Sequence, residues 1–354
     1  MVVLGLSLSS SWGNGHATTY RALLRGLAAQ DWRVLFLERD VPWYAAHRDL
    51  PEPDFCEFSL YQSLDELRDR FAERVTHADA VVVGSYVPDG IDVIDWTLAT
   101  ARGTVAFYDI DTPVTLAAVV RGDCAYLAPR QMARFDLYLS FTGGPTLDTL
   151  ASQHGVQRPR ALYCAVDEAR YLPTDAAPRW DLGYLGTYGA DRQPALELLL
   201  IEPARRLPQL RFVVAGPQYP AEIEWPGNVE RVEHLPPSEH SSFYGAQRFT
   251  LNITRADMIA AGWSPSVRLF EAAACGTPII SDRWPGLEEL LPDGEAIVIA
   301  DGADDVERIL LRAAPSLAHR LADRARRIVL AEHTGEARAR QLTAYLEQAT
   351  QPAA

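Results

Sequence analysis

The stretch SPSVRLFEAAACGTPIISD, Ser264–Asp282, reads as a helix that runs straight into a strand. Small and apolar residues carry it to Cys275, Gly276 offers the left-handed conformation that ends helices, and Thr277-Pro278 leads into the β-branched pair Ile279-Ile280. Ser264 can cap the helix, which sets Pro265 at its first position, where a missing N–H costs nothing; Ser266 is the alternative cap. The AAACG end lets the helix pack closely on a sheet. A helix feeding a strand in this way is one repeat of an α/β fold.

The chain on either side repeats the unit. Upstream lie the strand patterns LGYLGTY, RFVVAG, NVERVEHL and FTLNIT, with a helix over QPALELLLIEPARRL and another near Ser238 to Gly245. Downstream come EAIVIA and a tail from Asp304 to Ala349 that is almost wholly helical in pattern. The first 165 residues alternate likewise: VVLGLSL, RVLFLERD, DAVVVGSY, TVAFYDID, DLYLSFT and RALYCAV as strands, with helices between several of them. Such alternation predicts doubly wound parallel sheets. The chain has 354 residues, more than one core usually organises. Polar, Pro-containing DEARYLPTDAAPRWD breaks the pattern and reads as a linker. The expected division is residues 1–166, linker 167–181, 182–333, and a C-terminal helix and tail at 334–354. Ligands in such sheets bind at the carboxyl ends of the strands, and here also in the cleft expected between the two domains.

Composition narrows the chemistry. The net charge is −14, so a global basic footprint for nucleic acid is absent. All 33 basic residues are Arg. Without Lys there is no Schiff base, no G-x-x-x-x-G-K-[ST] phosphate loop and no kinase-type Lys, so any phosphate must be met by Arg, backbone N–H groups or a helix N-terminus. Cys56, Cys124, Cys164 and Cys275 lie far apart with no C-x-x-C, which fits a reduced cytoplasm and argues against a zinc motif. No apolar run reaches transmembrane length, and the N-terminus reads as a first strand and not a signal peptide. The expected location is cytoplasmic.

In the opening stretch, Arg268 and Glu271 stand three apart in a greasy segment. Two readings are open. Glu271 can accept hydrogen bonds from a ribose diol while Arg268 and the helix end (Ser264, Ser266, Val267) hold a diphosphate; or the two form an intrahelical ion pair worth about 0.2–0.5 kcal/mol. RLFEAAACGTPIISD resembles the donor-binding segment of GT-B glycosyltransferases, and LNITRADMIAAGWSPSVRLFEAAACGTPIISDRWPGLEELLPDGEAIV is similar to the C-terminal domain of CgeB-like (spore-maturation-protein-like) members. The resemblance covers about Leu182 to Ile299 and extends more loosely into the N-terminal half. It implies that Glu271 binds the ribose of a nucleotide sugar. Many retaining members carry a second Glu eight positions earlier; here that position is Trp263. Resemblance also makes Arg192 the basic residue for the donor diphosphate, with Gly186, Thr187 and Tyr188 in its loop. Gly216 ends a strand where backbone can approach a base, and His234 sits in a loop similar to the family's base-flanking segment, or is an ordinary loop histidine. Asn252 and Arg255 of LNITR end another strand.

In the first half, SSSWGNGHATTY links the first strand to the first helix. The resemblance makes Gly13, Asn14 and Gly15 candidate acceptor contacts and His16 at the helix start a polar contact or base; alternatively His16 is a structural histidine of the helix N-terminus. The rival is a partial dinucleotide fingerprint, Gly13-x-Gly15 with Thr18 in third place and Glu38 as the ribose acid. FYDIDTPVT sets Asp109 and Asp111 two apart at a strand end, where close carboxylates can push their pKa values apart and leave one as a base; alternatively Asp111 caps the next helix. The expectation is a GT-B fold, two Rossmann-like domains with C-terminal helices. It would transfer a sugar from a nucleotide-diphospho-sugar to a small-molecule or glycan acceptor, with no metal or other cofactor and no nucleic-acid partner. The alternatives are a sugar-nucleotide epimerase on the same fold and a non-catalytic glycan- or partner-binding relative.

Overall fold

The computed structural model describes residues 1–12, 15–175 and 177–350. Two compact units divide the chain: Met1–Ala165 together with the segment from Thr334 onward, and Val166–His333.

The first unit is built on seven strands: β1 (Val2–Gly5), β2 (Leu35–Arg39), β3 (Glu57–Tyr61), β4 (Ala80–Gly84), β5 (Thr104–Asp109), β6 (Leu137–Ser140) and β7 (Pro159–Ala161). They lie in the order β3-β2-β1-β4-β5-β6-β7, and every pairing is parallel. Successive side chains of a strand face opposite ways. Val2, Leu4, Leu35, Leu37, Val81, Val83 and Phe107 therefore fill one face. Val3, Phe36, Val82, Ala106 and Tyr108 fill the other, which Leu23 and Leu27 of the helix His16–Ala28 cover together with Ala339, Leu342 and Leu346 of the C-terminal helix Gly335–Thr350. Burial on both faces is why these strands read as unbroken apolar runs. The C-terminal helix crosses His16–Ala28 at glycines: a Cβ on Gly26 would collide with the Gly335 carbonyl, and one on Gly335 with the Ala22 carbonyl.

The second unit has β8 (Trp180–Leu185), β9 (Phe212–Ala215), β10 (Val229–Val232), β11 (Gln247–Asn252), β12 (Ile279–Ser281) and β13 (Val298–Ile299). Their order is β10-β9-β8-β11-β12-β13, all parallel. Numbered within the unit this is 3-2-1-4-5-6, the Rossmann order, with its topological switch point between β8 and β11. The segment 167–179 holds no helix or regular strand among the described residues, yet Tyr171 in it is 4% exposed and packs into the second unit.

Two local expectations change. The helix of the opening stretch spans Val267–Ala274, with Ser266 at the N-cap and Ser264 and Pro265 outside it. The single helix read over QPALELLLIEPARRL is three pieces, α-helical at Gln193–Leu196 and Glu202–Arg206 and π-helical at Glu197–Ile201. Pro203 has no N–H to give the Leu199 carbonyl, and the wider turn lies just ahead of it.

Candidate functional site

The carboxyl ends of β8 and β11 flank the switch point of the second unit, and Arg268 bridges them. Its Nε donates to the Leu185 carbonyl, and Nη1 to the Ile253 carbonyl at 3.3 Å and to Asn252 Oδ1 at 3.4 Å. The guanidinium lies 5.0 Å from the Tyr184 ring centroid. Arg268 and Glu271 thus do not form the intrahelical pair: on this short helix each is drawn to a different tertiary partner. Asn252 is the second tie. Its Oδ1 accepts from Ser266 Oγ at 2.8 Å, and its Nδ2 donates to Ser281 Oγ at 2.9 Å. Ser266 holds the cap position, but its hydroxyl is spent on Asn252 and not on the helix. The first-turn N–H groups of Val267 and Arg268 have no intrahelical acceptor. Ser264 is buried, its Oγ 3.0 Å from Met258 Sδ.

The loop after β8 folds back on itself. Arg192 Nη2 donates to the Thr187 carbonyl at 2.7 Å, and the Tyr188 N–H to the Pro217 carbonyl at 3.0 Å. Gly216 has φ +139°, and a Cβ there would strike the Gly186 carbonyl. The close approach that Gly216 permits is therefore to the Gly186 backbone. Arg255 lies 3.5 Å from Asp191. Arg192, Arg268 and Arg231 all act electrostatically on the Tyr219 hydroxyl, so three guanidiniums gather where β8 and β9 end. Tyr184 Oη and Arg192 Nε are buried there without a hydrogen-bond partner. His234 is exposed in the loop after β10.

Glu271 is 5% exposed and faces three groups that sequence reasoning passed over. Tyr244 Oη donates to its Oε2 at 3.3 Å, the Tyr171 hydroxyl stands close enough to feel its charge, and His240 Nδ1 lies 3.2 Å from the Tyr171 oxygen. Burial, and then the Glu271 charge, push both phenols far above their ordinary pKa, so they stay protonated. Burial lowers the His240 pKa. A signal existed: His240 and Tyr244 stand four apart on one helix and share a face. Arg231, stacked at 4.2 Å on Tyr219 and 4.7 Å on Trp225, was likewise missed. Trp263 has φ +42°, a strained region for a bulky residue, and is pinned by its N–H to the Pro285 carbonyl at 2.7 Å and its Nε1 to Glu289 at 2.9 Å.

In the first unit, Gly13 and Asn14 lie outside the described residues; Gly15 caps the helix His16–Ala28. His16 is 7% exposed, with Nδ1 unpartnered and its ring edge-on to Tyr86 at 5.4 Å. Burial pulls its pKa down to about 4, so it is neutral at pH 7. Glu38 is fully buried and accepts from the Leu8 and Ser9 N–H groups at 2.6 and 2.9 Å and from Ser9 Oγ at 2.7 Å. Fully buried, its carboxylate is engaged in tying down the loop after β1, which counts against the ribose role of the dinucleotide alternative. Asp109 is also fully buried. It accepts from Thr115 Oγ1 and Tyr138 Oη, both at 2.7 Å, and from the Asp111 N–H at 3.3 Å. Burial raises its pKa to about 6 against those bonds. The two aspartates do not share an open face, because β5 ends at Asp109 and the chain turns there; Asp111 is only partly buried, at the cap position of the helix Thr112–Arg121, without a side-chain cap bond. Trp43, 62% exposed, meets Trp12 edge-on at 4.7 Å, and His47 stacks on Trp12 at 4.4 Å.

No group of three or more His, Cys, Asp or Glu side chains is gathered as a metal site, and no helix is long and apolar enough to cross a membrane, among the described residues. A family model described as glycosyl transferase-like matches residues 192–344. A D-inositol 3-phosphate glycosyltransferase of Mycobacterium sp. (strain KMS) is 31% identical over 182 residues, 44% of this chain and 39% of that protein. The match thus spans about two fifths of the relative's length. Among solved structures, a sucrose-phosphate synthase from Thermosynechococcus elongatus superposes with TM-score 0.67 at 16% identity, over 98% of each chain. HepE of Anabaena in complex with UDP and glucose gives TM-score 0.64 at 14% identity, over 98% of this chain and 100% of that one. The fold is GT-B.

Proposed function

We propose that this chain is a glycosyltransferase that moves a sugar from a nucleotide-diphospho-sugar to an acceptor hydroxyl. The observation that carries the reading is the switch point of the second unit, where Arg268, Arg192 and a helix N-terminus converge beside a buried carboxylate, Glu271. Arginines and unpaired N–H groups suit a diphosphate, and an ionised carboxylate suits a ribose diol. The glycosyl transferase-like match over residues 192–344 supports it, as does the UDP named with one structural neighbour.

In the reaction the acceptor oxygen bonds to the anomeric carbon as the bond from that carbon to the diphosphate breaks, its electron pair leaving with the nucleoside diphosphate. Arg192, Arg268 and the helix end stabilise that charge, which is largest after bond breaking. This is the part a metal plays in other enzymes, and we assign the reaction no metal. The acceptor contacts belong to the first unit, at Gly13, Asn14, Gly15 and neutral His16. Asp111 is the better base of the aspartate pair, since Asp109 is spent on Thr115 and Tyr138. Within the fold we place the chain with the CgeB-like members, acting in the cytoplasm.

The test is a thermal-shift panel of UDP, GDP and dTDP. Saturation at about 100 Kd by the correct nucleotide adds about 2.7 kcal/mol of stability, and Glu271→Ala lowers that affinity at least about tenfold, the cost of an unpaired hydrogen-bonding partner. If no nucleoside diphosphate shifts the transition, the proposal fails.

A further inference from the structure

Glu271 does not stand alone in its pocket, and the groups on it have no part in the proposed chemistry. A carboxylate has about four lone-pair sites on two oxygens. Tyr244 takes one on Oε2 at 3.3 Å, and the Tyr171 hydroxyl stands near enough for the Glu271 charge to act on it. These phenols come from different places: Tyr244 from the helix His240–Gly245, and Tyr171 from the irregular segment that precedes β8. Both are anchored. Tyr244 is fully buried and its own carbonyl accepts from Thr277 Oγ1 at 2.9 Å, while Tyr171 is held by its N–H to the Asp167 carbonyl at 3.0 Å and by His240 Nδ1 at 3.2 Å. A phenol has one proton. With Nδ1–H of His240 donating to the Tyr171 oxygen, the phenol proton is left to turn toward Glu271.

We propose that Tyr171 and Tyr244 are positioning residues that aim the Glu271 carboxylate and thereby set how strongly the site distinguishes a ribose from a sugar without hydroxyls. This rests on the reading of Glu271 as the ribose acceptor. Tyr244 holds Oε2 and Tyr171 stands beside the same carboxylate, so its plane is held while lone pairs remain for two vicinal hydroxyls. Loss of either phenol lets the carboxylate rotate, which weakens the bonds to the diol and leaves the diphosphate contacts of Arg192 and Arg268 as they are.

The experiment measures, by calorimetry, the affinity of the intact protein for the best-binding member of the UDP, GDP and ADP set and for its 2′,3′-dideoxy counterpart. Four proteins are compared: wild type, Glu271→Gln, Tyr171→Phe and Tyr244→Phe. Wild type is expected to favour the ribonucleotide by about tenfold or more, the worth of one charged hydrogen bond. Glu271→Gln should abolish most of that preference. Each Phe variant should lower ribonucleotide affinity about three- to tenfold, the size of one hydrogen bond, and leave dideoxynucleotide affinity unchanged. The ratio is the readout, because a variant that merely loosens the unit lowers both affinities together. If Glu271→Gln leaves the preference intact, or no nucleotide binds, the ribose reading falls and this inference with it. If Glu271→Gln removes the preference but both Phe variants keep it, or lose both affinities equally, the ribose reading stands and the positioning role is overturned.

Discussion

Asp109 shows what burial does to a residue that the sequence marks as chemical. Its folded pKa is about 6 against an ordinary 3.8, because desolvation outweighs the bonds from Thr115 and Tyr138. Between about pH 4 and 6 the folded state holds this proton and the unfolded state does not, so stability from this group is present at low pH and lost as pH rises through the window. Asp109→Asn carries no such proton. The unfolding free energy of wild type relative to that variant should fall by up to about 3 kcal/mol from pH 4 to pH 7, measured by denaturant titration at each pH. A difference that does not change with pH contradicts the assignment. His16 has the opposite sign, because its folded pKa lies below the unfolded one. Of the residues picked from the sequence, Glu271 and Arg268 were legible as a charged pair out of keeping with their greasy surroundings. Tyr171 was not, since a tyrosine in a polar, Pro-containing segment has no local mark of the carboxylate it meets.

At the scale of elements, alternation of apolar runs and helical stretches was enough to read two doubly wound sheets. It passed over β3 and the helix Leu64–Thr76, although SLDE there carries a capping-box signature, of which the structure forms half: Ser63 Oγ accepts from the Glu66 N–H at 3.1 Å, while Glu66 accepts from the N–H of Gln62, one residue before the cap, at 2.6 Å. The short, polar, half-buried strand Glu57–Tyr61 lacks the unbroken apolar run of its neighbours because it lies at the sheet edge. Packing of the C-terminal helix makes a sharper prediction. Gly26→Ala gains about 1 kcal/mol of helix propensity, but its methyl must displace the Gly335 backbone, and overpacking of that kind costs about 1–3 kcal/mol. Urea denaturation should find the variant less stable by about 1 kcal/mol. Gly227→Ala, where a Cβ meets nothing within 4 Å, should be near neutral. Equal effects at the two sites would remove the argument for a backbone contact.

For the whole molecule, the helix Gly335–Thr350 belongs to the same unit as the first strand. Trp32 Nε1 donates to Thr343 Oγ1 at 3.0 Å across 311 positions of sequence, and Arg338 Nε to the Tyr163 carbonyl at 3.0 Å. Removal of residues 334–354 uncovers the face that Leu342 and Leu346 close. At about 1.5–3 kcal/mol for each buried leucine, that is a large part of the stability of an ordinary domain, roughly 5–15 kcal/mol. The truncated protein should bind a hydrophobic dye such as ANS and lose the cooperative unfolding of its first unit; an unchanged unfolding curve would refute the role given to this helix. The sequence by itself determined the class of fold, through the period of its apolar residues, and the kind of phosphate ligand available, through its exclusive use of Arg. Those properties are local or compositional and need no folding to be read. Only the tertiary structure decided that Asp109 and Glu38 are spent on internal hydrogen bonds, that Arg268 bridges β8 and β11, that Tyr171 reaches Glu271, and that the last helix returns to the first sheet. Each is a contact between residues far apart in the chain, and a residue's burial and partners are properties of the packed molecule that no stretch of sequence carries alone.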